Sequence, residues 1–311
     1  MEIRQLEHFV SAVEVGTLSG AAAATHISQP GLSMSLARLE EFLGVRLLNR
    51  EPRGVTPTAP GETLYRHAKV ILAHLRHATG EIDALQGDGV HELRLGVGAS
   101  FMNRALPRVI AQLLADRPLL TLHVTAGLAE DQIPKLITGD LDLVLVRFPS
   151  TPSRQDLVYE VLHRRQLCAW VRADHPLAIS RKPRGRKKGN GPGLERLAQY
   201  RWIVPDEAPL EIAGPIYRAL QRFDVTLRPA VQTNSVPFLK RLLRESDCVA
   251  LLPEGAMADE AEDGEVCALA LPELDLEDEV GAVYRRELSI LPILAEIIAA
   301  MRIELPRAGL K

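Results

Sequence analysis

The chain has 311 residues, of which 46% are apolar and 25% are charged, and its formal net charge is −3. This composition is typical of a globular protein long enough for two domains, and the small negative charge gives the whole chain no attraction to a polyanion. Three widely separated cysteines argue against a zinc site and a disulfide framework, and an N-terminus without an apolar core argues against a signal peptide, so we expect a cytoplasmic protein with no metal, no cofactor and no membrane partner.

The spacing of apolar residues between positions 4 and 43 predicts three short helices. The first ends at Gly16, a favoured C-cap residue, and the second is the alanine-rich stretch that follows Thr17. The third begins at Ser28, a good N-cap, and stops at Gly44. Its inner face is formed by Leu32, Leu36, Leu39 and Leu43. Two short helices joined by a tight turn are the parts of a helix-turn-helix.

The outer face of the third helix carries small or polar residues, namely Gln29, Pro30, Ser33 and Ala37. Such a face fits a DNA major groove, because glutamine bonds adenine bidentately, serine bonds either partner, and proline or alanine contacts thymine methyl groups. Arg38 is placed to reach a phosphate, and Met34 is interpreted as a core residue, with the DNA-binding face as the alternative. We therefore expect this helix to read base edges.

Residues 45 to 61 predict a two-stranded wing, because strand-like apolar ends flank a Pro-Arg-Gly turn. Arg50 and Arg53 lie near its tip, where an arginine either contacts DNA or is an ordinary solvated turn residue. The DNA-binding candidates are therefore Gln29, Pro30, Ser33, Met34, Ala37, Arg38, Arg50 and Arg53.

A long helix is predicted from Thr58 to about Gln86. Its apolar residues alternate spacings of four and three, and at 1.5 Å per residue it would be roughly 40 Å long. This narrow stripe favours a coiled-coil pairing of two chains over a surface helix packed on its own domain. The dimerisation candidates are Leu64, Ala68, Ile71, Leu75, Ala78, Ile82 and Leu85.

Beyond a linker at residues 86–91, strand-like and helix-like segments alternate, which predicts βαβ units and a mostly parallel sheet. A second such unit follows from about residue 166, and the last strand and helix return to the first unit. That last helix, around Glu296, is too short to span a bilayer. The basic segment at 181–193 has no apolar periodicity, and it is either a solvated insertion or a contact for a polyanion.

Polar residues follow the predicted strands, where ligands bind in open α/β sheets. Ser100 suits an anion or a helix cap, and Arg147 suits a carboxylate or a salt bridge between lobes. We therefore expect a small organic acid as ligand. The candidate effector-binding residues are Ser100, Phe101, Thr125, Gly127, Arg147, Asn234 and Ser235.

The stretch at positions 22–62, "AAATHISQPGLSMSLARLEEFLGVRLLNREPRGVTPTAPGE", resembles the winged helix-turn-helix of LysR-type transcriptional regulators. The resemblance rests on Ser-Gln-Pro at 28–30, Ser33, "RLE" at 38–40, "LGVRLLNR" at 43–50 and "T-x-x-G" at 58–61, and more loosely on "DHPLA" at 174–178 and "ALLP" at 250–253. Two departures stand out: the third helix carries Met34 and Ser35 where many relatives have basic or long polar residues, and residues 1–61 hold five arginines against six acids. Affinity for DNA would then depend on where the arginines lie and on several domains binding together.

The resemblance implies an α/β protein with an N-terminal all-α winged helix-turn-helix, a long linker (dimerisation) helix and a two-lobed effector domain like the periplasmic binding proteins of type 2. The expected boundaries are 1–61 for the DNA-binding domain, 58–86 for the linker helix and 87–311 for the effector domain, with lobe 1 at about 91–161 and 268–305 and lobe 2 at about 162–267. It also implies a regulator that binds a pseudo-palindromic double-stranded operator as a dimer of dimers, responds to a small-molecule effector and contacts RNA polymerase. Arg53 is similar to family arginines that enter a minor groove.

Three alternatives remain open. A redox sensor of the same family needs an exposed, activated cysteine, whereas Cys168 and Cys248 lie in apolar strand patterns and Cys267 is ambiguous. A solute-binding protein on the same two-lobed fold would need a signal peptide and would not carry residues 1–86. An enzyme is disfavoured because the sequence has no G-x-S-x-G, H-E-x-x-H, Walker or G-x-G-x-x-G motif.

Overall fold

The computed structural model describes residues 1–51, 54–85, 92–102, 104–148, 155–179, 194–205, 229–233, 235–269 and 277–307. They divide into two structural units. One comprises Met1–Leu95, Arg117–Val124 and Gln132–Asp142, and the other comprises Gly96–Asp116, Thr125–Asp131 and Leu143–Lys311. The predicted linker at 86–91 and the basic segment at 181–193 lie outside the described residues.

The elements follow the alternation expected from the sequence. The helices are α1 (Ile3–Val15), α2 (Leu18–Ala24), α3 (Gln29–Leu43), α4 (Ala59–Leu85), α5 (Ala105–Asp116), α6 (Ala129–Thr138), α7 (Pro176–Ile179), α8 (Leu194–Leu197), α9 (Val236–Glu245), α10 (Ala258–Glu262) and α11 (Pro292–Arg307). The strands are β1 (Leu48–Glu51), β2 (Gly54–Pro57), β3 (Glu92–Val97), β4 (Thr121–Ala126), β5 (Leu143–Arg147), β6 (Leu157–Arg172), β7 (Trp202–Pro205), β8 (Pro229–Thr233), β9 (Val249–Pro253), β10 (Val266–Leu269) and β11 (Glu277–Arg285). Short 3₁₀ helices lie at Ala99–Phe101, Glu254–Met257 and Arg286–Ile290.

The first three helices form as their local signals predict. Gly16 and Gly44 end α1 and α3 in the left-handed conformation, and the Ser28 hydroxyl accepts a hydrogen bond from the backbone N–H of Gly31. The shared core contains Phe9, Ala12, Ala21, Ala22, Leu32, Leu36 and Leu39. The predicted inner face of α3 is wrong at Leu43, the last residue of the helix, which is 37% exposed.

The wing is an antiparallel pair in which Leu48 faces Pro57 and Glu51 faces Gly54. Two side chains attach it to the helices. The Glu40 carboxylate accepts hydrogen bonds from the backbone N–H groups of Leu47 (2.7 Å) and Leu48 (3.2 Å). The Thr58 hydroxyl donates to the carbonyl of Arg46 at 2.7 Å. These contacts give a structural reason for the glutamate of "RLE" and the threonine of "T-x-x-G".

The glycine of "T-x-x-G" is required by close packing. A Cβ on Gly61 would lie 2.0 Å from the carbonyl oxygen of Leu47, which is far inside van der Waals contact. The N–H of Gly61 also donates to the Thr58 hydroxyl at 3.1 Å, so the first turn of α4 is capped as it passes the wing. The start of the long helix is thereby fixed against the base of the wing.

The predicted dimerisation stripe on α4 divides into two parts. Ala68 is fully buried against Leu6 and Val10 of its own chain, and Leu64 packs on the same cluster. The prediction that these first two positions face a second chain is therefore corrected, because α1 already covers them. Farther along the helix, Ile71 is 42% exposed and Ile82 is 55% exposed, and Ala78 is also exposed.

Among the described residues, the large sheet has nine strands, in the order β4-β3-β5-β11-β6-β9-β7-β8, with β10 paired to β6. The prediction of a mostly parallel sheet is wrong for its middle, since β11 runs antiparallel to both β5 and β6, and β6 runs antiparallel to β9 and β10. β7 is parallel to β8 and β9. Val280, Ala282 and Val283 are fully buried, which explains why β11 inserts between strands instead of adding at an edge.

Within the described part of the chain, no helix combines the length and hydropathy needed to cross a bilayer. In the same residues there is no group of three or more His, Cys, Asp or Glu side chains arranged to hold a metal ion.

Candidate functional site

The outer face of α3 lies at the surface, as its sequence predicts. Gln29, Pro30, Ala37 and Arg38 are exposed and Ser33 is partly exposed, whereas the leucines at 32, 36 and 39 are buried on the opposite side. Small side chains on an exposed helix leave room for the helix to approach base edges. The helix therefore presents a short surface with hydrogen-bonding groups at its N-terminal half, where recognition helices contact bases.

Met34 belongs to this exposed surface, and the interpretation of Met34 as a core residue is wrong. The residue is 56% exposed, since it lies two positions, or about 200°, around the helix from Leu32. Its sulfur lies 4.0 Å from the Arg38 guanidinium, one turn along the helix. Met34 can thus contribute apolar contact on the same ridge as a cation.

Ser35, the other departure from the family pattern, has a structural role. Its hydroxyl lies 2.8 Å from Nδ1 of His8, so it joins α3 to α1. The residue is only partly exposed. A long side chain here would disturb the packing of the two helices.

The acids of the first 61 residues do not all act as surface charges. Glu14 accepts hydrogen bonds from Tyr65 (3.1 Å) and Lys69 (2.5 Å), and Glu40 accepts from backbone N–H groups of the wing. Arg4, Arg46 and Arg50 are exposed, and Arg53 lies outside the described residues. Because Glu14 and Glu40 are bonded within the protein, the count of six acids against five arginines overstates the negative charge that this region shows to solvent.

A second candidate site is a pocket at the carboxyl ends of β3, β4 and β5. It is lined by Gly98, Ala99, Ser100, Gly127, Leu128, Ala129, Glu130, Val146, Arg147 and Phe148. Three of the predicted effector residues, Ser100, Gly127 and Arg147, therefore meet in one pocket. Backbone hydrogen bonds hold its walls together, from the N–H of Gly98 to the carbonyl of Leu145 (2.8 Å) and from the N–H of Gly127 to that of Val97 (3.1 Å).

Arg165 of β6 was missed by the sequence reasoning. Its Nη2 donates a hydrogen bond to the Ser100 hydroxyl at 3.2 Å. A hydroxyl that accepts one hydrogen bond still has its own proton to donate, so Arg165 leaves the Ser100 O–H available for an acceptor.

Arg165 also affects a neighbouring histidine of β6. Burial, followed by the charge of Arg165, lowers the pKa of His163 below its ordinary value. The alternative that Ser100 caps a helix is not supported, because Gly98 is the N-cap residue of the adjoining 3₁₀ helix.

The other predicted effector residues do not line this pocket within the described structure. Phe101 is 1% exposed and belongs to the core, and Thr125 is an exposed residue of β4. Ser235 caps α9, with its hydroxyl accepting from the N–H of Phe238 at 3.4 Å, and Asn234 lies outside the described residues.

The three cysteines are free thiols. Cys168 is buried on β6, with its sulfur 3.8 Å from the carbonyl oxygen of Leu252. Cys267 is partly exposed on β10. Cys248 is also partly exposed and immediately precedes β9, so its predicted burial in a strand is wrong.

Two family models match the chain. The model described as "Bacterial regulatory helix-turn-helix protein, lysR family" matches residues 3–62, and the "LysR substrate binding domain" model matches residues 86–306. Among curated relatives, the HTH-type transcriptional regulator PcaQ of Agrobacterium fabrum is 26% identical, over 97% of this chain and 94% of the relative. The SDS degradation transcriptional activation protein of a Pseudomonas species is 30% identical, over 87% of this chain and 85% of the relative.

Solved structures share the fold. A full-length OxyR variant from Pseudomonas aeruginosa has a TM-score of 0.70 at 20% identity, covering 100% of this chain and 98% of that one. Full-length CbnR in complex with its target DNA has a TM-score of 0.64 at 21% identity, covering 98% of this chain and 100% of that one.

Proposed function

The chain belongs to the LysR family of DNA-binding transcriptional regulators, and on that premise we propose that a small carboxylate is the effector that controls it. The observation that carries this proposal is the pocket at the ends of β3, β4 and β5, where Arg147 and Ser100 lie together. Strand ends of this kind are the usual ligand sites of open α/β sheets.

The chemistry of the pocket favours an anion. Arg147 supplies a fixed positive charge with two parallel N–H donors, which match the two oxygens of a carboxylate. The Ser100 hydroxyl, already accepting from Arg165, supplies a further donor. Glu130 also lines the pocket and repels an anion, so the carboxylate is expected to lie towards Arg147.

On the DNA side, α3 reads base edges through Gln29, Ser33 and Ala37, and Arg38 and Arg50 bind phosphates. Two chains pair through the exposed part of α4, which carries Ile71, Leu75, Ala78 and Ile82. The pairing places two recognition helices on half-sites about 34 Å apart.

Two such pairs form a tetramer on a pseudo-palindromic operator in the cytoplasm, where the complex contacts RNA polymerase. Because a ligand shifts an equilibrium only through its different affinities for the two states, the carboxylate must bind one arrangement of the tetramer more tightly than the other. Occupancy of the pocket then changes how the operator is held.

The test is isothermal titration calorimetry of the full chain with benzoate and with succinate, in which each carboxylate is compared with the corresponding amide. We expect heat from a carboxylate and none from its amide. Ser100→Ala should weaken the binding about 10- to 100-fold, the value of a hydrogen bond to a charged group. Ser235→Ala is the matched control, because Ser235 caps α9 and lies outside the pocket lining. Heat from the amides but not from the carboxylates would contradict the proposal.

A further inference from the structure

The pocket is lined by the N-terminus of α6 and the C-terminus of β5, and one turn joins the opposite ends of these two elements. Ala129 and Glu130, at the start of α6, line the pocket, and so do Val146 and Arg147, at the end of β5. Residues 139–142 connect the C-terminus of α6 to the N-terminus of β5. Both elements therefore connect the pocket lining to the 139–142 turn along the chain.

Both connecting elements are short. The ten residues of α6 span about 15 Å and the five of β5 about 17 Å. β5 is the stiffer, because Leu143, Val144 and Leu145 are fully buried. Pro134 removes one backbone hydrogen bond from α6, so its first turn is less firmly held than the rest.

The 139–142 turn is packed closely on the middle of α4. A Cβ on Gly139 would lie 3.1 Å from Cβ of Ala73 and 3.2 Å from the carbonyl oxygen of Lys69, and its φ is +81°. Ala73 is 1% exposed in this contact. Backbone thus meets backbone, and a small movement of the turn alters the fit.

An ion pair lies on one side of this contact and a histidine–carboxylate contact on the other. Lys69 is 14% exposed and bonds both Asp140 of the turn and Glu14 of α1. One turn beyond Ala73, Nε2 of His77 lies 2.8 Å from the carboxylate of Asp142. That carboxylate is fully buried and also accepts from the N–H of Arg94 at 2.9 Å.

We infer that the 139–142 turn transmits the state of the effector pocket to α4, through a contact that loosens when a ligand draws β5 towards it. The inference rests on the proposed function, since it needs a ligand in that pocket. In this inference the close fit at Gly139, the Lys69–Asp140 ion pair and the His77–Asp142 contact open together. Because α4 also carries the exposed stripe for a second chain, the turn acts where a change alters the spacing of the recognition helices.

The experiment is hydrogen exchange of the full-length chain, followed in peptides that cover residues 69–77, with and without benzoate or succinate. We expect exchange in this part of α4 to become at least about threefold faster when the carboxylate binds. Gly139→Ala should show the fast exchange already without the carboxylate, and no further change on adding it. Asp140→Asn is the milder second variant and should lose most of the response. Lys135→Met is the matched control, since Lys135 is an exposed cation in the last turn of α6, and it should respond like the wild type.

The outcomes separate the two proposals. Carboxylate binding with unchanged exchange at 69–77, or with the same change in Gly139→Ala and Asp140→Asn as in the wild type, overturns the inference and leaves the effector site standing. Failure of both carboxylates to bind in the titration overturns the proposed function, and with it the signal that the turn would carry.

Discussion

Ile82→Asp should break the pairing of two chains without unfolding either one. The side chain lies on the exposed stripe of α4 and is 55% exposed, so a charge there costs the single chain little. In a pair of antiparallel or parallel helices the same position faces the partner, and an aspartate would be removed from water. The substitution therefore separates association from folding.

The expected size of the effect follows from the area still open to a partner. Complete burial of an isoleucine side chain is worth about 1.5–3 kcal/mol, and about half of the surface of Ile82 remains exposed in the single chain. Each chain of a two-fold pair then loses about 0.8–1.5 kcal/mol, or about 1.5–3 kcal/mol for the pair, which is about 10- to 150-fold in the dissociation constant. Desolvation of the carboxylates adds to this.

Sedimentation equilibrium over a range of concentrations measures the dissociation constant, and circular dichroism checks the fold. Ile303→Asp is a matched control, because Ile303 is also an isoleucine on a long helix, α11, and is also 55% exposed. We expect it to leave association unchanged. If the two variants dissociated equally, or if neither differed from the wild type, the exposed part of α4 would not be the pairing surface.

Three further predictions concern the core, the pocket and pH. Ala68→Leu should destabilise the chain by about 1–3 kcal/mol in urea unfolding, by overpacking against α1, while the dissociation constant stays the same. Ser100→Ala and Arg165→Met should weaken carboxylate binding non-additively in a double-mutant cycle, because the arginine acts through the hydroxyl. Burial lowers the pKa of His175 below its ordinary value of 6.5, so the unfolded chain binds the proton more readily and stability should fall as the pH drops below about 6.5. Tm measured from pH 8 to 5 should show this decline, and His175→Gln should reduce it.

Local signals explain what the sequence could predict. The caps at Gly16, Ser28 and Gly44 act within one turn of their helices, and the polar outer face of α3 follows from helical spacing alone. The helices and strands of the α/β region are likewise marked by their own periodicity. These features need no knowledge of the tertiary fold.

Long-range contacts explain the features that could not be predicted from the sequence. The stripe on α4 continues unbroken through Leu64 and Ala68, and only the packing of α1 shows that these two face their own chain. In the same way, the buried run of β11 marks a strand but not its insertion between β5 and β6. Periodicity identifies a buried face without identifying what covers it.

The pocket illustrates the same limit. Ser100, Gly127 and Arg147 each follow a predicted strand, so the rule for strand ends places them together. Arg165 lies within a long strand, 65 residues from Ser100 along the chain, and nothing in its neighbours marks it as a partner. A hydrogen bond between elements so distant along the chain becomes visible only in the folded structure.

The central claim, that α3 reads DNA as one of a pair, is tested most directly by footprinting. Wild type and Ser33→Arg would be compared on the duplex that the wild-type chain selects from a random-sequence pool. We expect two protected half-sites about 34 Å apart for the wild type, and lost or relocated protection for Ser33→Arg, whose bulk enlarges the small outer face of α3. The same footprint from both proteins, or no sequence selected by the wild type, would contradict it.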